Sequence, residues 1–220
     1  MSDPKLILVT GATGYVGGRL VPRLLAAGQR VRWLVRDPAR LQGRVWLEQV
    51  DLATGDMLKP DSLVAAMRGV EAVYYLVHSL GGGSAFSERD LIAAHNCARA
   101  AKAAGVERII YLGGLGDPQS DLSPHLRSRH ETGAALRETG VPVREFRAAV
   151  FVGSGSVSCE MIRYLTERLP VMICPKWVFT RIQPIAIRTV LDYLVAAQRS
   201  DPANRRTRGA YMMKPPFFPK

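Results

Sequence analysis

Apolar residues in this chain gather in short runs bounded by polar or turn-forming residues, and between the runs lie stretches where apolar positions recur every three or four residues. The runs suit strands buried on both faces; the stretches suit helices packed by one side. Residues 5–10 predict a first strand. Residues 15–27 predict a helix with Val16, Leu20 and Leu24 on its inner face, Gly28 as its left-handed cap, and Pro22 as a lost hydrogen bond and a source of kinking. Residues 31–35 predict a second strand, and Asp37 a cap for a helical turn opening at Pro38. A third strand is expected within residues 45–52, where Glu48 and Gln49 blur its outline. Residues 60–67 read as a helix ended by Gly69, 72–77 as a strand, 87–104 as a long helix stopped at Gly105, and 108–112 as a fifth strand. A helix over 127–139 ending at Gly140, extended chain over 143–152, and helices over 158–169 and 187–199 complete the pattern. Ser156 or Ser158 is the expected cap of the first of these last two helices, and Thr189 stands near the cap of the second.

Strands separated by helices of this length need right-handed parallel crossovers. The expected fold class is therefore α/β, a doubly wound, mainly parallel sheet with helices on both faces, in three layers. Residues 1–200 are expected to form this one domain. Residues 201–220 carry Pro and basic residues without a period and are read as a weakly ordered end or the stub of a longer chain.

Composition adds limits to this picture. With 47% hydrophobic and 22% charged residues the chain suits an ordinary globular core. There is no uncharged apolar run of about 18 residues and no signal-peptide pattern, so no membrane span and a cytoplasmic location are expected. Cys97, Cys159 and Cys174 are odd in number and widely spaced, which fits reduced thiols and argues against a disulfide frame or a zinc site. The formal net charge of +11 raises nucleic acid as a partner. Yet the basic residues are dense only in RLQGR, HLRSRH and NRRTR, with no aromatic interleaving, so nucleic acid ranks well behind a small ligand.

That ligand is indicated by VTGATGYVGGRL, residues 9–20. Gly11, Gly14 and Gly17 stand between a strand and a helix, where free backbone N–H groups and the positive end of the helix dipole favour an anion. In such a loop the first glycine permits the tight turn, the second lets a pyrophosphate approach the backbone, and the third lets the helix pack close to the sheet. Arg36 ends the second strand, where the adenosine ribose of a dinucleotide falls, and a guanidinium there suits the 2′-phosphate of NADP better than the free hydroxyls of NAD. Asp37 beside it has its capping role before Pro38.

These segments, with VRWLVRDPAR, TGDMLKPDSL and GVEAVYYLVHSLGGG, resemble the extended and atypical branch of the short-chain dehydrogenase/reductase superfamily, of NmrA-like type, over residues 5–199. The resemblance implies a Rossmann-type domain. YYLVHSLGGG, LGGLGD, LSPHLRSR and LPVMICPKWVFTRIQPIAIR are further similar to a bacterial subgroup in which such a domain commonly precedes a second domain of unknown function. It implies that Gly11, Thr13, Gly14, Tyr15 and Val16 line a pyrophosphate, that Arg36 takes the 2′-phosphate, and that Asp56 accepts a hydrogen bond from the adenine amino group. Leu76, Val77 and His78 would run beside the two riboses. Asp56 also has a plainer reading, as a turn residue after Gly55.

The resemblance fails where catalysis is expected. The superfamily places a Ser or Thr after the fifth strand and a YxxxK pair on the next helix, whereas this chain has Gly113 for the hydroxyl residue, His125 for the Tyr and Arg129 for the Lys. His125 titrates in the range useful for an acid, and Arg129 can hold ribose hydroxyls but stays protonated. Both are the candidate catalytic residues, against a default reading of His125 as a solvated helix-start residue. His78 is read as packed or ribose-contacting before proton-transferring, His95 and Cys97 as packed or solvated, and His130 and Glu131 as helix surface. GSGSVSCE matches no nucleophile elbow. Met161, Tyr164 and Trp177 are read as core residues, or else as an apolar pocket wall. The partners expected are NADP(H) and a small-molecule substrate; the choice between an oxidoreductase acting on a small carbonyl or enone compound and a non-catalytic NADP-binding sensor or accessory subunit stays open, as does assembly into a homo-oligomer.

Overall fold

In a computed structural model, residues 5–41, 43, 45–78, 84–116, 122–168, 183–199 and 210–212 are described. Strands β1 (Leu6–Val9), β2 (Arg30–Val35), β3 (Asp51–Thr54), β4 (Val70–Tyr75), β5 (Arg108–Gly114), β6 (Val143–Ala148) and β9 (Ala210–Met212) make one parallel sheet in the order β3-β2-β1-β4-β5-β6-β9. β7 (Val150–Val152) and β8 (Pro184–Ala186) form a separate parallel pair. The helices are α1 (Gly17–Ala26), α2 (Pro60–Ala66), α3 (Ser84–Ala103), α4 (Pro124–Arg137), α5 (Val157–Arg168) and α6 (Ile187–Arg199). The expected α/β class, doubly wound and in three layers, is thus what the chain adopts.

Two cores, one on each face of the sheet, explain why the central strands are mostly apolar, with the buried Glu71 of β4 and Arg108 of β5 paired to each other. On one face Leu63 of α2, Ala94 and Cys97 of α3 and Leu136 of α4 pack over Leu8, Val73 and Ile109. On the other, Leu20 and Leu24 of α1 and Val190 and Leu194 of α6 pack over Ile7, Trp33 and Ile110. Tyr74 donates its hydroxyl to the Leu194 carbonyl at 2.7 Å, fastening α6 to the middle of the sheet. The register puts Val9 beside Trp33 on one side and Tyr74 on the other. From β1 the chain turns to α1 on one face, and from its neighbour β4 it turns to α3 on the opposite face. The crevice opened at the carboxyl ends of β1 and β4 is the topological switch point where such sheets bind ligands.

The structure revises several local expectations. The third strand lies at Asp51–Thr54, because Leu47–Gln49 closes into a 3-10 turn and pairing with β2 begins only at Asp51 opposite Arg32. The extended run over 143–152 is two strands: Ala148 ends pairing with β5, and Val150 starts the pairing with Pro184. A final strand, obscure in the sequence, exists at Ala210–Met212 because β6 offers it an edge. α1 continues through Pro22 as a single helix. Ser156 stands just before α5, but its hydroxyl donates to the Phe151 carbonyl at 2.8 Å. Thr189 lies inside the first turn of α6, which begins at Ile187. Met161 and Tyr164 are 57% and 62% exposed on α5, so they are neither core nor cavity wall. Trp177 and Cys174 lie outside the described residues.

Candidate functional site

The crevice is a cavity of about 760 Å³, and every residue singled out for cofactor or catalysis lines it: Gly11, Thr13, Gly14, Tyr15, Val16, Arg36, Asp56, Leu76, Val77, His78, His125 and Arg129. Its floor is the loop between β1 and α1. Gly11 has φ +65°, and a Cβ there would lie 2.6 Å from the Leu76 carbonyl oxygen, so the residue must be glycine both for its turn and for its approach to β4. A Cβ on Gly17 would lie 2.6 Å from Ala12 Cα and from the Gly11 carbonyl oxygen. The helix start can therefore sit against its own loop only without a side chain at that position. Val16 precedes α1 without any side-chain cap, and the first turn holds no acidic residue. That leaves the positive end of the helix available to an anion, and the bare loop fits a pyrophosphate.

Thr10, which the sequence did not single out, ties the two sides of the switch point together. Its hydroxyl donates to the Tyr74 carbonyl at 3.0 Å and accepts from the Leu76 N–H at 3.2 Å, so it fixes where β4 releases Leu76, Val77 and His78 into the cavity. At the β2 end, Asp37 accepts the Ala39 N–H at 3.0 Å as expected of a cap, and exposed Arg36 is left facing the cavity. Asp56 accepts the Leu58 N–H through Oδ1 at 3.0 Å, so its turn role is real, and it also lines the cavity. Asn96 on α3 donates to the Met57 carbonyl at 3.0 Å and holds this loop to the helix.

The opposite wall comes from α3 and α4. Ser123 accepts the Leu126 N–H at 3.4 Å and Pro124 occupies the first turn, which starts α4. His125 and Arg129, four residues apart, then share a helix face toward the cavity. The Arg129 carbonyl accepts the Tyr111 hydroxyl at 2.9 Å, anchoring the helix to β5. Arg89, Asp90 and Ala93 of α3 complete the wall. No local pattern marks these three; the α3–α4 packing brings them there. His78 keeps part of its surface open, yet the protein enclosing the rest of the ring, and then the Arg129 charge, draw its pKa down to about 4. The His125 pKa is lowered by the same causes in the same order. Both imidazoles are therefore mainly neutral near pH 7.

The absent hydroxyl has a steric cause. A Cβ on Gly113 would lie 2.8 Å from Glu145 Oε1. Glu145 is fully buried, taking Arg147 Nε at 2.7 Å and Arg137 Nη2 at 2.5 Å. Tyr75 and Tyr111 do not replace the missing acid: both are buried behind α4 and outside the cavity lining, and burial raises the Tyr111 pKa to about 12 and that of Tyr75 well above its ordinary value. Of the remaining candidates, Cys97 is buried. His95 is half-buried and sits 2.7 Å from Glu138 Oε2. Among the described residues there is no cluster suited to a metal ion.

The strand order, the switch point and the uncapped, glycine-lined helix start define an open α/β fold of the dinucleotide-binding type. The sequence model of the NAD(P)H-binding family matches residues 11–142, and the chain belongs to that family. Over 174 residues it is 34% identical to the (4-alkanoyl-5-oxo-2,5-dihydrofuran-3-yl)methyl phosphate reductase of Streptomyces griseus, covering 76% of this chain and 57% of that protein. Over 189 residues it is 30% identical to the photosystem II assembly factor Ycf39 of Cyanophora paradoxa, covering 84% and 56%. It thus spans little more than half the length of these relatives. The fold is shared with a nucleoside-diphosphate-sugar epimerase from Staphylococcus aureus, at a TM-score of 0.77 and 22% identity, covering 94% of this chain and 70% of that one.

Proposed function

We propose that the cleft binds NADP(H) and that the protein is an oxidoreductase acting on a small carbonyl or enone compound. The observation that carries the reading is the single cavity in which the bare glycine loop, Arg36, the β4 end and the His125–Arg129 face meet. In this reading Gly11, Thr13, Gly14, Tyr15 and Val16 hold the pyrophosphate, Arg36 the 2′-phosphate, Asp56 the adenine amino group, and Leu76, Val77 and His78 flank the riboses. The bound nicotinamide would supply or accept hydride. Arg129 is assigned to ribose hydroxyls, as a donor that keeps its proton. His125 is assigned to proton transfer with the substrate oxygen, because it is the titratable group one helical turn before Arg129 on the cavity face; as a neutral imidazole it can take the hydroxyl proton of an alcohol, and it must first gain a proton to act as the acid in carbonyl reduction. The apolar wall at Leu112 and Phe151 would help to exclude water from the reacting carbonyl.

A second reading, a non-catalytic NADP-binding sensor or accessory subunit, is supported by Gly113 in place of a hydroxyl residue and by the similarity to an assembly factor. NADPH oxidation against a panel of aldehydes, quinones and enones separates the two. Turnover that falls at least about tenfold in His125→Phe supports the enzyme. Tight NADPH binding with no oxidation across the panel favours the second reading.

A further inference from the structure

We propose that Arg19 is a positioning residue that couples occupancy of the glycine loop to the loop over residues 153–156, the start of the cavity wall carried by α5. The proposal rests on the nicotinamide-nucleotide reading above and adds to it a link between the cofactor loop and the 153–156 loop.

Tyr15 belongs to the glycine loop and lines the cavity. Arg19, one helical turn later, folds its guanidinium back over the Tyr15 ring, 4.0 Å from the centroid. The same group donates from Nη1 to the Tyr15 carbonyl at 3.2 Å and from Nη2 to the Ser154 carbonyl at 2.9 Å. It is therefore a fork with one arm on the cofactor loop and the other on the 153–156 loop. The second loop is shaped to receive it. A Cβ on Gly153 would lie 2.5 Å from Ile187 Cγ2 and 2.8 Å from the Tyr15 hydroxyl oxygen, and a Cβ on Gly155 would lie 3.4 Å from Arg19 Nη2. Two glycines thus present bare backbone to the Tyr15–Arg19 pair.

The loop is also tied internally, so that fixing one part fixes the rest. Gly155, at φ +74°, donates its N–H to Glu160 Oε1 at 3.1 Å. Ser156 donates its N–H to the Gly153 carbonyl at 3.0 Å and its hydroxyl to the Phe151 carbonyl at 2.8 Å. Phe151, Ser156 and Val157 all line the cavity, whereas Arg19 does not. Arg19 therefore acts from behind the wall: a ligand that immobilises Tyr15 also immobilises the surface offered to the second ligand. Exposed hydrogen bonds of this kind leave a loop able to open locally, and ordering it in advance lowers the cost of the next binding step.

Hydrogen exchange on the full chain, with and without NADPH, tests this. In the wild type, residues 11–18 and 153–160 should both exchange more slowly with NADPH, each by roughly fivefold. In Arg19→Met the first segment should keep that gain and the second should lose it, with an unchanged melting temperature reporting intact folding of this exposed position. Arg19→Lys keeps a cation over the ring but cannot fork to two carbonyls, so it should give less than half of the wild-type gain at 153–160. A full gain at 153–160 in Arg19→Met or Arg19→Lys overturns the coupling, as does a wild type protected only at 11–18. A wild type protected at neither segment overturns the nucleotide reading itself, and the coupling with it.

Discussion

Gly113 shows how one residue records a choice made elsewhere in the sheet. The buried carboxylate of Glu145, held by Arg137 and Arg147, fills the space that a side chain there would need. Gly113→Ser, which restores the hydroxyl residue of the resembled superfamily, should therefore destabilise the fold by about 1–3 kcal/mol, read from denaturant unfolding. Unchanged stability would mean that Glu145 yields easily. Arg36 is the residue proposed for the 2′-phosphate: Arg36→Asp should move preference from NADPH toward NADH, and an unchanged ratio of the two dissociation constants would remove Arg36 from that role. His78 carries a pH signature. Its folded pKa of about 4 lies below the ordinary 6.5, so as pH falls the unfolded chain takes up the proton first. The stability associated with neutral His78 is complete above pH 6.5 and is lost as pH falls toward 4. The decline in melting temperature between pH 7 and 4.5 should accordingly be shallower in His78→Gln than in the wild type, and equal declines would contradict the assignment.

At the scale of elements, the parts legible in the sequence were those set by neighbours along the chain. The glycine loop between a buried strand and a helix, the Asp37–Pro38 turn and the α6 span all follow from residues within a few positions of one another. The parts that escaped depend on distant partners. β3 starts where β2 offers a register, and β9 is a strand because β6 has a free edge. The cavity role of Arg89, Asp90 and Ala93 needs the α3–α4 contact, and nothing in their own spacing announces it. α5 misled for a related reason: Met161 and Tyr164 looked like core, yet both are exposed. α4 is the element on which the proposed chemistry would depend, because one face carries both His125 and Arg129 to the cavity. Ser123→Ala removes its cap; with a hydrogen bond as long as 3.4 Å the expected cost is at the low end, about 0.5–1 kcal/mol, measured by denaturant unfolding. No loss would show that Pro124 alone suffices to start the helix.

At the scale of the whole molecule, the fold gathers residues from β1, β2, β4, α3, α4 and the 153–157 segment around one crevice, because β1 and β4 send their helices to opposite faces of the sheet. Among the described residues no helix is long and apolar enough to cross a membrane, and the +11 charge is spread along the chain, away from any aromatic platform. Family membership follows from the glycine loop and its surroundings; the proposed turnover would rest on His125 and Arg129, which depart from the usual pair of the resembled superfamily. The most direct measurement is calorimetric titration of the protein with NADPH and, separately, NADH. Saturable one-to-one binding of NADPH in the micromolar range, tighter than that of NADH, is expected of a bare helix start joined to Arg36. No heat of binding with either nucleotide would contradict the assignment of the crevice.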